Sequence, residues 1–378
     1  MAETVRILHT ADLHLGASFS YLGGTKRETR TAELLLCTER LFGICRANKI
    51  PLLILSGDLF DSNAVEENIV AAFLSSVKNN PQVRVVFAAG NHDPLTSDSP
   101  FLNNSLPENL TVLGTADTCV YFEDINTRVY GKSFKSVYMA ASERFSITPP
   151  DDRVINIMVL HGDSGSDTDS PYGSISQEFL RNSGMDYVAL GHIHTFSGVK
   201  QLDGVYYAYP GCPEPHGFDE PGQTGVICAE VGKNYFKHQF VPTGTRAYET
   251  VNIDISAATD NASATTVILD ELKARFGAEF GKNLYKIILT GDLSDEIRIN
   301  PAEILTRIGD EVFYAKIKNR TGVSADLALL ARENTLKGKF VKIMLEKMSA
   351  EPENTEKLKK ALGIGLKAFR SEVKFDEN

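Results

Sequence analysis

The sequence predicts an α/β fold with mixed sheets, followed by a smaller β-α-β-α-β domain and a helical tail. Three patterns carry that prediction. Short β-branched runs alternate with helical stretches up to about residue 242. The alternation restarts with different spacing after the connection "VPTGTRAY" (241–248), and apolar residues three and four apart run through the stretch beyond residue 323.

In the first region "VRILH" (5–9), "LLILS" (52–56), "VRVVFAA" (83–89) and "INIMVLH" (155–161) read as strands, and residues 30–48 and 64–79 as helices. This is the strand, helix, strand spacing of parallel crossover units. Residues 198–240 add short strands broken by Gly and Pro, among them "VYYAYPG" and "GVICAEV", which makes the sheets mixed. The second domain takes its strands from "ETVNIDIS", "LYKIILTG" and "EVFYAKIKN", with helices over 262–276 and from 301. Asn300 is the candidate N-cap of the latter, with Pro301 at the first helical position and Glu303 placed for a capping box. In the tail, Leu358, Leu362, Leu366, Phe369 and Val373 form a stripe opposite Lys359, Lys360, Lys367 and Arg370. The stripe reads as packed on its own domain, with partner docking as the alternative. The resulting boundaries are 1–242, 243–322 and 323–378.

With 378 residues, 42% of them hydrophobic, the chain has material for two or three domains. The opening "MAETVRILHTADLHLG" lacks a basic segment followed by an apolar stretch, and no run reaches membrane-spanning length, so a cytoplasmic protein without membrane contact is expected. Five scattered cysteines without CxxC spacing argue against a disulfide framework and against a thiolate metal site. A net charge of -10 opposes unaided tight binding to nucleic acid. A polyanionic substrate would need metal ions or a partner.

Ligand-type residues close five separate apolar runs: "ADLH" (11–14), "SGDLFD" (56–61), "AAGNHD" (88–93), "HGD" (161–163) and "LGHIH" (190–194). In α/β sheets the crevice beyond the carboxyl ends of strands collects functional groups, so these endings should meet. They would bring together Asp12, His14, Asp58, Asn91, His92, His161, His192 and His194, too many ligands for one ion. Mixed imidazole and oxygen donors suit Mn, Fe or Zn better than Mg or Ca, and Asp58 is the candidate bridge between two ions. On an extended backbone His192 and His194 would share a face while Ile193 points into the packing. Glycines 57, 90, 162 and 191 read as tight bends. His9, His216 and His238 read as structural, with His216 the exception to watch. The polar loop 162–174, Asp163 included, reads as a cover over the site, since it lacks calcium-loop spacing.

The series D-x-H, G-D, G-N-H-D, H-G and G-H-x-H, spanning roughly residues 4–240, resembles the calcineurin-like metallophosphoesterases. More narrowly, "ILHTADLHLG", "SGDLFD", "GNHD" and "YPGCPEPHGFDE" resemble the SbcD/YhaO-type branch of DNA repair exonucleases. The resemblance implies a β-sandwich flanked by helices, a smaller α+β capping domain and C-terminal helices that dock a partner. It also implies two divalent metal ions, manganese first and iron or zinc as alternatives. Asp12, His14, Asp58 and His194 would hold one, and Asp58, Asn91, His161 and His192 the other. His92 would stand near the scissile phosphate as transition-state stabiliser or proton donor, and Asp93 is read as orienting its ring. Where many relatives carry histidine after "GDLF", this chain has Asp61, which is left either to support a ligand or to cap the next helix.

The function implied is hydrolysis of DNA phosphodiester bonds with an SMC-like coiled-coil ATPase as partner, in a homodimer. A phosphodiesterase or phosphatase acting on a small nucleotide or phosphoprotein is the alternative, and a catalytically silent scaffold the third.

Overall fold

The computed structural model describes residues 3–139, 145–146, 150–164, 170–294, 296–324 and 327–369. The chain divides into two compact units, Met1–Ala247 and Tyr248–Asn378. In the first, the chain order is β1 (Thr4–Thr10), α1 (Gly24–Asn48), β2 (Leu52–Leu55), α2 (Glu67–Lys78), β3 (Arg84–Phe87), α3 (Pro100–Asn103), β4 (Leu110–Val112), β5 (Thr118–Phe122), β6 (Thr127–Gly131), β7 (Ile155–His161), α4 (Gln177–Asn182), β8 (Tyr187–Gly191), β9 (Lys200–Leu202), β10 (Val205–Ala208), β11 (Gly225–Gly232) and β12 (Tyr235–Pro242). Two six-stranded sheets result, ordered β12-β11-β1-β2-β3-β4 and β5-β6-β7-β8-β10-β9. Both are mixed: β1 to β4 run parallel, β11 is antiparallel to β1 and to the edge strand β12, and β6, β7, β8 and β10 run parallel between antiparallel β5 and β9.

The period of two along each strand makes the sandwich. Val5 and Ile7, Leu52 and Ile54, and Ile227, Ala229 and Val231 form one core with Ile155, Ile157, Val159, Tyr187 and Ala189 of the second sheet. The intervening residues face outward onto helices. Phe87 packs on Phe101 of α3, which meets Phe73 of α2. On the other side Tyr130, Met158, Leu160, Val188 and Leu190 cluster with Leu180 of α4. The result is a β-sandwich flanked by helices, as expected. Helix α1 begins six residues before the expected start; its N-cap, Gly23, offers no side-chain hydrogen bond, so the sequence carries no capping signal there.

The second unit contains β13 (Tyr248–Asp254), α5 (Asn261–Phe276), β14 (Leu284–Thr290), β15 (Asp292–Ser294), α6 (Pro301–Ile308), β16 (Tyr314–Asn319), β17 (Gly322–Ser324), α7 (Leu327–Leu330), α8 (Leu336–Ala350) and α9 (Thr355–Ala368). Strands β13, β14 and β16 pair in parallel, and α5 and α6 bury Ile268, Leu272, Ile304 and Ile308 with Val251, Ile253, Ile287 and Leu289. Asn300 caps α6 by accepting from the Ala302 N–H, but Glu303 forms no capping box. Its carboxylate is taken by Asn261 Nδ2 and Arg307, and Asn261 Oδ1 accepts the Asn300 N–H instead. In α9, Leu362 and Leu366 are buried with Val341 and Met344, whereas Phe369 is exposed; Arg370 and Val373 lie outside the described residues. Among the described residues no helix is long and apolar enough to cross a membrane.

Ile157 is fully buried between the sheets. Ile157→Ala is expected to destabilise the protein by about 2–5 kcal/mol, read as a lower denaturant midpoint at unchanged slope. An unchanged midpoint would contradict the sandwich core.

Candidate metal centre

Strands β1, β2 and β3 are mutually parallel, as are β7 and β8, so their carboxyl ends present the loops that carry the candidate ligands. The backbone there leaves ordinary conformations: Asp12, His14, Asp58 and His192 have φ of 54°, 44°, 51° and 107°. Non-glycine residues held at positive φ are strained, and such strain persists only where surroundings enforce it. Here Asp12 N donates to Gly57 O (3.1 Å), His14 N to Asp58 O (3.0 Å) and Leu15 N to Leu59 O (2.8 Å), zipping the first two loops together.

The positive φ of His192 corrects the extended reading of "GHIH". Strand β8 stops at Gly191, Ile193 is 38% exposed, and the two histidines join different groups. The glycines divide as well. Gly57 and Gly162 take positive φ, but Gly90 and Gly191 do not. These two are needed for close approach: a Cβ on Gly90 would overlap Asp58 Oδ1, and one on Gly191 would overlap Ser56 O.

The side chains form two groups. Asp12, His14 and His194 bring ligand atoms within 4.8 Å of one another, and so do Asp58, His161 and His192. Asn91 Oδ1 lies 2.9 Å from His161 Nε2 and joins the second group. Asp58 stands between them, with Oδ2 at 3.9 Å from His14 Nε2 and 3.3 Å from His161 Nε2. His192 N donates to both Asp12 oxygens (3.0 and 3.1 Å), which ties the groups through the backbone.

The donor chemistry fits cations. His194 Nδ1 is bound by Glu220 Oε1 at 2.5 Å and His14 Nδ1 lies 3.3 Å from Asp61 Oδ1, so both rings favour N–H on Nδ1. Their Nε2 lone pairs then face each other at 3.2 Å, an arrangement that needs positive charge between them. His161 repeats the pattern. Its Nδ1 donates to Ser56 O (2.8 Å), leaving Nε2 against the acceptor oxygens of Asn91 and Asp58.

Without a cation, protons take that place. Burial pulls His161 down, but the charge and hydrogen bond of Asp58, with Asp12, lift it to about 9. Burial likewise opposes protonation of His194, and the Glu220 hydrogen bond and the Asp12 charge raise it to about 9. Burial with the nearby His161 holds His192 down to about 4. Burial pushes Asp12 up, whereas for Asp58 it is outweighed by His161 and His14, which hold that carboxyl well below the usual range.

His92 is exposed at the edge of the two groups, its ring centroid 4.7 Å from that of His14. Its backbone N donates to Asp58 Oδ1 (2.9 Å) and its Nδ1 lies 3.0 Å from Asp61 O. Asp93 therefore does not orient His92. Its fully buried carboxylate accepts from Leu59 N, Phe60 N and Gly90 N, locking the second and third loops together, and burial with the Asp58 charge raises it to about 7. Asp61 supports His14; the N-cap of α2 is Glu66.

His9 lies in the core between Tyr187 OH (2.8 Å) and Ser56 Oγ (3.1 Å), kept neutral by burial. His238 sits on edge strand β12. His216 is brought to the site: its Nε2 is 3.1 Å from Leu13 O and its ring centroid 5.3 Å from His14. Glu220 is a site residue that the motif pattern does not single out, although it ends "PEPHGFDE"; a carboxylate in reach of both His194 and His216 is the missed signal. Of the loop 162–174, residues 165–169 lie outside the described residues, and its ends are joined by Asp163 N to Gly173 O and Ile175 N to Asp163 O.

Two imidazole and carboxylate groups meeting at one aspartate, at the strand ends of a sandwich, define a candidate dinuclear metal centre. Residues 5–196, slightly more than half of the chain, match the calcineurin-like phosphoesterase family, and the chain belongs to it. It is 25% identical over 304 residues to an uncharacterized metallophosphoesterase, YhaO, of Bacillus subtilis, covering 77% of this chain and 73% of the relative. It is 25% identical to the DNA double-strand break repair protein Mre11 of Methanopyrus kandleri, over 67% of this chain and 58% of that protein. A 94-residue stretch is 36% identical to the SbcD component of the SbcCD nuclease of Rhodobacter capsulatus, 24% of this chain and 22% of that one.

Because His161 and His194 sit above the ordinary 6.5 in the folded chain, their protonation stabilises it fully below pH 6.5, and the effect is lost as pH rises to about 9. Chelated protein should therefore lose thermal stability across that window. Added Mn²⁺ should displace the protons and stabilise increasingly over the same range. Melting curves with EDTA or Mn²⁺ test this; identical pH dependence in both would contradict it.

Proposed function

We propose that this chain is a two-metal phosphodiesterase that hydrolyses DNA, with manganese as the metal. The observation that carries the reading is the pair of ligand groups sharing Asp58 beside an exposed imidazole, His92. Asp12, His14, Asp58 and His194 would hold one ion, and Asp58, Asn91, His161 and His192 the other. When bound, two such cations polarise phosphoryl oxygens and make water a competent nucleophile near neutral pH. The chain supplies the rest. Asp61 and Glu220 fix the rings of His14 and His194, aiming Nε2 inward. The Asp58 bond to the His92 backbone and the Asp61 carbonyl at Nδ1 set the His92 ring, so that Nε2 can give a proton to the leaving oxygen. Asp93 holds the loops at their spacing.

DNA as substrate is supported by the named nuclease and repair relatives. The acidic net charge is answered by a partner, for which we propose an SMC-like coiled-coil ATPase. Helices α8 and α9 expose Leu336, Ile343 and Ile364 among the exposed Lys339, Lys342, Lys359 and Lys360, a surface that suits an acidic amphipathic coil. A reducing cytoplasm suits the five free cysteines.

The purified protein should release label from linear double-stranded DNA in Mn²⁺, and EDTA should stop it. Hydrolysis of an activated small phosphodiester with no DNA cleavage, even with the ATPase present, would overturn DNA in favour of a small nucleotide. His92→Ala is expected to lower turnover about 10²–10⁴-fold while sparing metal content, and Asp58→Ala to lose both. A fully active His92→Ala protein would remove the proposed role of this ring.

A further inference from the structure

Residues 212–220 form a strap between α1 and the metal centre, and its far end is held by charges that the proposed chemistry does not use. Arg30 of α1 and Glu214 are both fully buried. Arg30 Nη1 donates to Glu214 Oε1 (2.7 Å) and Glu33 Oε2 (2.5 Å), and Nη2 to Pro215 O (2.7 Å). The second Glu214 oxygen accepts from Arg40 Nη2 (2.5 Å), Thr245 N (2.9 Å) and Thr245 Oγ1 (3.0 Å). Charges buried this completely give little net stability, because desolvation offsets their attraction, so stability alone does not account for them.

At the near end, Glu220 Oε2 accepts from the His216 and Gly217 N–H groups, and Oε1 binds His194 Nδ1. Cys212 N donates to His194 O, so the strap grips that residue by backbone and side chain. A second path runs through Phe19, which is held at φ 43°. The Arg30 guanidinium lies 5.2 Å from its ring centroid, and that ring stacks on His216 at 6.3 Å. Arg30 thus touches the strap directly and, through Phe19, the loop that follows His14.

We infer that Arg30 and Glu214 are positioning residues for the His194 imidazole, acting through the strap and Glu220. This rests on the two-cation reading above. Release of the strap leaves Nδ1 of His194 without its carboxylate, so Nε2 no longer presents a fixed lone pair to the ion shared with Asp12 and His14.

Titration of the full chain with Mn²⁺, with free ion followed by electron paramagnetic resonance, tests the inference. Wild type should take up two ions, and Asp12→Ala marks the step belonging to its own group. Glu220→Ala should weaken that step about 10–100-fold and leave the other unchanged. Arg30→Met combined with Glu214→Met replaces the buried pair by apolar volume but strands Arg40, the Thr245 N–H and the Pro215 carbonyl, so the unfolding midpoint should fall and, in the folded protein, the same step should weaken. Arg30→Lys keeps the charge but loses the fork, should weaken that step too, and decides the matter if the double variant does not fold. A folded double variant, or failing that Arg30→Lys, binding both ions with wild-type affinity would overturn the inference. Fewer than two ions on wild type would instead overturn the two-cation reading.

Discussion

Asp58 is a carboxylate 1% exposed, set between two groups of imidazoles whose lone pairs point inward. A negative charge taken out of water must be answered by positive charge at short range. Three neutral rings with acceptor nitrogens cannot provide it, and the raised values of His161 and His194 register that demand as protons. Two divalent ions, as proposed, would meet it better, because carboxylate and imidazole together would hold each. Much of the surrounding architecture holds this unfavourable collection in place.

The surrounding chain accepts strain to do so. Four candidate ligands occupy positive φ, and each loop is bound to its neighbour by backbone hydrogen bonds or by the buried Asp93 carboxylate. The β-sandwich makes such rigidity available: parallel strands in two packed sheets end at one level, and the core between them has little freedom to shift. The candidate ligands therefore sit on loops whose positions are fixed by the scaffold beneath them.

The strands that end at the site were legible as mostly apolar runs, and the candidate ligands because D-x-H, G-N-H-D and G-H-x-H follow those runs directly; β4, β5 and β6 are short, mixed with polar residues, and offered no such run. The structure brings Asp12, His14 and His194 together, and likewise Asp58, His161 and His192, while the assignment of two ions to them rests on the family resemblance. What escaped was orientation. Whether Asp93 reaches His92 or the backbone of Leu59 depends on how two loops 33–34 residues apart in sequence meet, which no local pattern encodes. The separation of His192 from His194 follows from one positive φ, and the choice of Asn261 over Glu303 from contact between two helices. Glu220 and Arg30 lay in plain sight as charged residues in a loop and a helix. Their burial, which gives them meaning, arises only when the strap closes over α1.

Anomalous diffraction from crystals grown with Mn²⁺ would show whether two cations share Asp58. Two peaks about 3.5–4 Å apart are expected, one beside Asp12, His14 and His194 and the other beside Asn91, His161 and His192, with Asp58 between. A single peak, or peaks that leave Asp58 without contact, would contradict that sharing.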